Sequence, residues 1–161
     1  MILQDGYCEK CDKIYTNLEY KWCKPCQIDY LKKNLTSGNE KINKFIQEMQ
    51  LKINNYYDVV SEWIPYNQFE NIKEIGKDGF ATIYSAIWKD GPLYYNEYKK
   101  IYRRNLRNQD QKVLLKYFNS QNITDEFFNE VQTVVQNFFM NLFYFCFLIT
   151  FFCFNRLTNI Q

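Results

Sequence analysis

Cys8-Glu9-Lys10-Cys11, then eleven residues, then Cys23-Lys24-Pro25-Cys26: two C-x₂-C pairs open this chain. Two residues between cysteines let both thiolates reach one ion from a tight turn, and two such pairs complete a tetrahedral shell. Cys8, Cys11, Cys23 and Cys26 are therefore the candidate metal ligands, with Zn²⁺ the expected ion and two disulfides or an inert remnant of a site the alternatives. A shell closed by four thiolates has no open position for a substrate, so the expected role is structural. Lys10, Lys13, Lys21 and Lys24 lie close by in sequence and would offset its negative charge. So short a segment has little core of its own. Metal binding should supply most of its folding free energy, and chelation should unfold residues 1–37 and leave the rest.

The 161 residues carry 20 Lys+Arg against 18 Asp+Glu, a formal net charge of +2. That near-balance gives no electrostatic case for nucleic acid. Histidine is absent, which excludes Ser-His-Asp and Cys-His nucleophilic sites, Cys₂His₂ fingers and HExxH metalloproteases. The start, Met1-Ile2-Leu3-Gln4-Asp5-Gly6, has neither a basic n-region nor an apolar h-region. A reducing, cytoplasmic setting is the expectation, in which paired cysteines favour metal over disulfide.

Past the cysteines, Ile42, Phe45, Ile46, Met49, Ile53, Tyr56, Tyr57, Val60 and Trp63 recur at spacings of three and four. The spacing predicts an amphipathic helix over 38–64, started by Asn39 or Ser37 and stopped by Pro65. Phe69–Ile75 and Thr82–Trp88 read as two strands around a glycine-containing turn, although the alternation of Phe69, Ile72 and Ile75 is imperfect. Asp90-Gly91-Pro92 is a second turn. Residues 93–111 are polar and tyrosine-rich and read as a surface insertion. Lys112–Phe118 is a third strand, and Thr124 offers the N-cap of a helix. The expected fold is α+β. It comprises a Cys₄ knuckle (1–37), a linking helix (38–64), a small antiparallel sheet with a following helix (65–131) and an apolar tail (132–161).

Ile75-Gly76-Lys77-Asp78-Gly79-Phe80-Ala81-Thr82-Ile83 lies between the first two strands, Lys116 ends Val113-Leu114-Leu115-Lys116, and Glu130 follows in a helix. This order resembles the start of a protein kinase domain: glycine-rich hairpin, third strand with lysine, αC-like helix with glutamate. More closely, the chain resembles an expanded set of fungal kinase-like proteins with a Cys₄ knuckle ahead of the kinase domain. The segments that carry the likeness are Trp22-Cys23-Lys24-Pro25-Cys26, Thr36-Ser37-Gly38-Asn39, Phe45-Ile46-Gln47, Glu62-Trp63-Ile64-Pro65-Tyr66 and Ser120-Gln121-Asn122-Ile123-Thr124. The resemblance implies an incomplete kinase small lobe and ATP as ligand. Gly76, Lys77, Asp78, Gly79, Phe80, Ala81 and Ile83 would form the loop, with Lys116 and Glu130 the ion pair that holds the α/β-phosphates.

The match departs from the family pattern in two places. Asp78 holds the second glycine position, which puts a carboxylate near polyphosphate. Leu114 replaces the small alanine expected beside adenine. No segment after Glu130 resembles H-R-D-x-x-x-x-N or D-F-G, so the expected fragment is catalytically inactive alone and its standing as an enzyme stays open. The alternative is a zinc-stabilised module for a protein partner, without nucleotide binding. After Glu130 the one charged residue is Arg156, and from Val134 to Phe154 only Gln136, Asn137, Asn141 and Thr150 are not apolar. About 20 such residues span a bilayer. Three readings stay open for the tail: a membrane anchor for a cytoplasmic body, a segment foreign to the fold from a truncated or mis-spliced reading frame, or a buried helix.

Overall fold

In the computed structural model the described residues are 6–35, 37–78, 81–118 and 129. They form a mixed α+β fold of two units, one comprising Met1–Trp63 with Asp90–Asn108, the other Ile64–Lys89 with Gln109–Gln161. The sequence is thus interleaved: a piece of the first unit interrupts the second.

The first unit begins with two short hairpins closed by single bridges, Tyr7 with Ile14 and Asn17 with Trp22. Helix α1 (Lys24–Lys33) follows directly on Cys23, and was not expected from the periodicity. Its signals are local. Pro25 sits in the first turn, where its missing N–H is no loss, and Lys32 and Lys33 lie in the last turn against the negative end of the helix dipole. Helix α2 spans Glu40–Gln50 and buries Ile42, Phe45, Ile46 and Met49. Asn39 caps it, its Oδ1 accepting the Ile42 N–H at 3.2 Å.

The expected helix over 38–64 is therefore corrected to 40–50. Beyond Leu51 the chain is irregular, because Asp58 Oδ2 offers the Asn54 and Asn55 N–H groups a different partner, at 2.8 and 2.9 Å. A side chain that binds nearby backbone competes with the helical ladder. Ile53 and Val60 are still buried, with Trp22 and Leu31, but irregular chain carries them there.

Residues 93–111 are also not the surface insertion expected. Strands β3 (Tyr94–Asn96) and β4 (Ile101–Arg103) form an antiparallel hairpin in which Tyr95 pairs with Tyr102. Both rings are buried, at 8% and 1% exposure, in the Trp22–Leu31–Ile53–Val60 cluster.

In the second unit, β1 was written by the sequence as Phe69–Ile75 and extends over Phe69–Asp78; β2 is Ala81–Trp88 and β5 is Gln111–Phe118. They form an antiparallel sheet in the order β1-β2-β5. Its core is Ile64, Phe69, Ala86, Trp88, Val113 and Leu115, with Ile72 packed against them. The imperfect alternation has a physical cause. Register shifts interrupt β1 between Glu70 and Lys73 and between Glu74 and Gly76, and Asn71 takes φ 53°. The extra residue lets Phe69 and Ile72, three apart, reach one face.

No helix of the described residues is long and apolar enough to cross a membrane. The tail 134–154 lies outside the described residues, as does the helix expected after Thr124 except for Asn129, which is helical.

Candidate metal centre

The first hairpin is a tight knuckle. The Cys8 N–H donates to Lys13 O at 2.7 Å, and the Cys11 and Asp12 N–H groups both turn back to Cys8 O, at 3.3 and 2.8 Å. Asp12 takes φ 55° at the turn, a backbone state in which Asp and Asn are enriched. This arrangement brings Cys8 and Cys11 together. The second pair sits differently: Cys23 is the N-cap of α1 and Cys26 lies in its first turn. Thr16 Oγ1 accepts the Lys24 N–H at 3.0 Å, so a residue between the two hairpins satisfies a donor that opens the helix.

The four sulfurs all lie within 4.8 Å of one another. Cys8 Sγ is 3.6 Å from Cys26 Sγ, and Cys11 Sγ is 3.5 Å from Cys23 Sγ. No disulfide joins them. A tetrahedron with metal–sulfur bonds of about 2.3 Å has edges of about 3.8 Å, so these separations suit one ion held by all four. The four cysteines named from spacing can hold a metal ion, and an all-sulfur tetrahedral donor set suits Zn²⁺.

Electrostatics around the thiols divides by depth. The Lys13 backbone N–H, and then the neighbouring thiols, pull the Cys11 thiol down to about 7. Burial pushes the Cys23 and Cys26 thiols up, which a bound divalent cation reverses by taking the thiolates as ligands. Around them runs a polar collar. Glu9, between the first two cysteines, pairs with Lys100 at 2.9 Å, and Lys24 Nζ donates to Asn54 Oδ1 at 2.8 Å. Tyr95 Oη donates to Tyr20 O and Lys21 O, at 3.2 and 3.1 Å, in the loop just before Cys23. Burial pushes its phenol up to about 12, which keeps it a donor.

Sequence reasoning missed Tyr95, Gln27 and Lys100 as supports of the site. The available signal was a pair of short β-forming runs, Tyr94-Tyr95 and Ile101-Tyr102, either side of polar Glu97–Lys100.

The residues expected at a nucleotide are placed on the sheet. Gly76 pairs with Ile83, and Ile83 with Lys116. They form one row across β1, β2 and β5. Lys77 pairs with Thr82, and Asp78 with Ala81. Paired residues share a face and neighbours along a strand alternate. Ile83, Leu114 and Lys116 therefore lie on the face opposite Ala86, Trp88, Val113 and Leu115. Leu114 pairs with Ser85, one step from Lys116. A Cβ at Gly76 would meet nothing within 4 Å, and its φ is not positive. Gly79, Phe80 and Glu130 lie outside the described residues.

Comparison with family models, curated proteins and solved structures finds no match.

Proposed function

We propose that the chain is a nucleotide-binding lobe of protein-kinase type, carried behind a structural zinc module. The supporting observation is the sheet register, which sets Gly76, Ile83 and Lys116 in one row on the face turned away from the core. In this reading main-chain N–H groups near Gly76 and Lys77 approach the phosphates, where a glycine leaves room. Ile83 covers the base, and the Lys116 ammonium holds the α- and β-phosphates with Glu130 as its partner. The fold of the described residues does not itself require a glycine at 76, so the demand for one would come from a ligand.

Asp78 repels polyphosphate and Leu114 narrows the space for the base, so binding is weak. These residues hold nucleotide without transferring phosphate, since the 161 residues contain no histidine and no H-R-D or D-F-G motif. The test is a thermal-shift titration with Mg-ATP on the wild-type chain and Lys116→Ala. A shift that depends on Lys116 supports the reading.

Absence of any shift leaves the second reading, a zinc-held module that binds a protein partner without nucleotide. Exposed apolar side chains on the metal-bearing hairpins favour it: Ile14 is 69% and Leu18 58% exposed.

A further inference from the structure

We infer that the β3–β4 hairpin is a metal-dependent element: although spliced between β2 and β5, its order is set by occupancy of the four-cysteine site. The inference rests on the reading of that site as metal-binding.

Two strands of three residues do not hold together alone in water. This hairpin has one cross-strand aromatic pair, Tyr95 with Tyr102, ring centroids 5.7 Å apart, so most of its support must come from what it touches. Most of its polar contacts converge on both cysteine pairs. Lys100 Nζ bonds Glu9 Oε1, inside the first pair, at 2.9 Å. Tyr95 Oη bonds Tyr20 O and Lys21 O, in the turn that leads into the second pair. Lys100 O accepts from Gln27 Nε2 at 2.9 Å, one residue beyond Cys26, and Gln27 is itself buried at 3% exposure. Tyr95 and Tyr102 pack on Trp22, next to Cys23.

Each of these anchor points lies within three residues of a ligand; besides them the two rings pack on Leu31, Ile53 and Val60, and Tyr102 Oη donates to Tyr56 O at 3.5 Å. Segments organised by a structural metal lose their structure with it, and most of the hairpin's polar anchors are in those segments. The flanking strands differ. β2 and β5 pair through eight residues and pack on a core without cysteine. Metal loss should therefore open residues 7–33 and 94–103 together, across a sequence gap of sixty residues, and leave 81–88 and 111–118 closed. Linkage is reciprocal, so weakening the hairpin's hold on the cysteine loops should weaken metal binding.

The experiment is hydrogen exchange by mass spectrometry on the full chain under reducing conditions, zinc-loaded and then stripped with a chelator. Peptides from 94–103 are expected to lose protection with those from 7–33, while β2 and β5 keep theirs. In parallel, Tyr95→Phe keeps the ring and every cysteine but removes one donor. It should raise the zinc dissociation constant roughly two- to tenfold against a chromophoric chelator. Hairpin protection that survives in stripped protein whose cysteine loops have opened overturns the inference, as does wild-type zinc affinity in Tyr95→Phe. A wild-type chain with no stoichiometric zinc at all is a different result, since it removes the metal reading itself and the inference with it.

Discussion

Trp22, Leu31, Ile53, Val60, Tyr95 and Tyr102 form the core of the first unit, and four of the six come from irregular chain or three-residue strands. Ile64, Phe69, Ala86, Trp88, Val113 and Leu115 form the core of the second, and all but Ile64 belong to long paired strands. In the sheet, backbone ladders and alternating side chains specify one another. In the cysteine unit no strand ladder longer than three residues exists among the described residues, so beside its two helices and their buried side chains point contacts help to fix the geometry. These are four thiols, the Glu9–Lys100 pair, the Glu62–Arg104 pair and tyrosine hydroxyls on carbonyls. The contrast teaches that two units, each with a buried apolar core, can be held in register differently, one by a continuous backbone ladder and one by ligation and polar clamps around its core.

Removing a ligand should break the comparison most widely. Cys23→Ser leaves three thiolates at a site where a bound metal would contribute on the order of 10 kcal/mol of folding free energy. The cysteine unit is expected to unfold at 25 °C while the sheet keeps its own transition. Circular dichroism would then show two steps in wild type and the earlier one lost in the variant. One shared transition abolished by the substitution would show that the units are not independent.

The converse substitution is Leu115→Ala. Leu115 is fully buried in the sheet core, and truncation of a buried leucine costs about 2–5 kcal/mol. The sheet transition should fall by that amount in denaturant, while zinc stoichiometry, read by atomic absorption, stays at one.

Arg104→Met sharpens the contrast within the cysteine unit. Glu62 has a side chain only 9% exposed. It accepts from Arg104 at both oxygens, Nη1 reaching Oε1 at 2.8 Å, and from the Leu93 N–H at 3.3 Å, while Arg104 also donates to Gly91 O. Burial pushes the Glu62 carboxyl up, against the opposing pull of the guanidinium. Loss of the guanidinium strands a buried carboxylate, and since Arg104 is about a third exposed the expected loss is about 2–3 kcal/mol at pH 8. The sign with pH follows. A carboxyl whose folded pKa is raised binds its proton more tightly when folded, so its stabilising contribution is present at low pH and lost as pH rises through the folded value. Arg104→Met should thus recover stability as pH falls from 8 towards 5, more than wild type does. Chemical denaturation at several pH values measures it, and parallel profiles would refute it.

How much of this was legible depended on whether a residue's job was local. The cysteine spacing names its own partner, and the strands around Gly76 carry their β-formers in place. The hairpin was not legible because Tyr94, Tyr95 and Tyr102 stand among Asn96, Glu97, Lys99 and Lys100, a surface composition; what buries the rings is Trp22, far back in the chain. Helix 38–64 was overextended for a related reason. Ile53, Tyr56 and Val60 continue the helical spacing, but Asp58 turns the backbone aside, and a carboxylate three or four residues ahead leaves no mark on apolar periodicity. In β1 the bulge at Asn71 disguised a core-facing pair, Phe69 and Ile72, as broken alternation. Of the residues proposed for a nucleotide, the register joins Gly76, Ile83 and Lys116 in one row, while Glu130 lies outside the described residues.

The smallest effect expected on stability separates the two units by function. Gly76→Ala adds one methyl where nothing stands within 4 Å and where φ is not positive. Alanine restricts the unfolded chain more than glycine does, so the sheet should be unchanged or gain up to about 1 kcal/mol. The same methyl stands where a phosphate would approach the backbone, so the Mg-ATP thermal shift should shrink although the protein is no less stable. Lys116→Ala removes charge; Gly76→Ala removes only room. If both abolish the shift, the row is a ligand site. If Lys116→Ala abolishes it and Gly76→Ala does not, the lysine binds phosphate and the loop ahead of it takes no part.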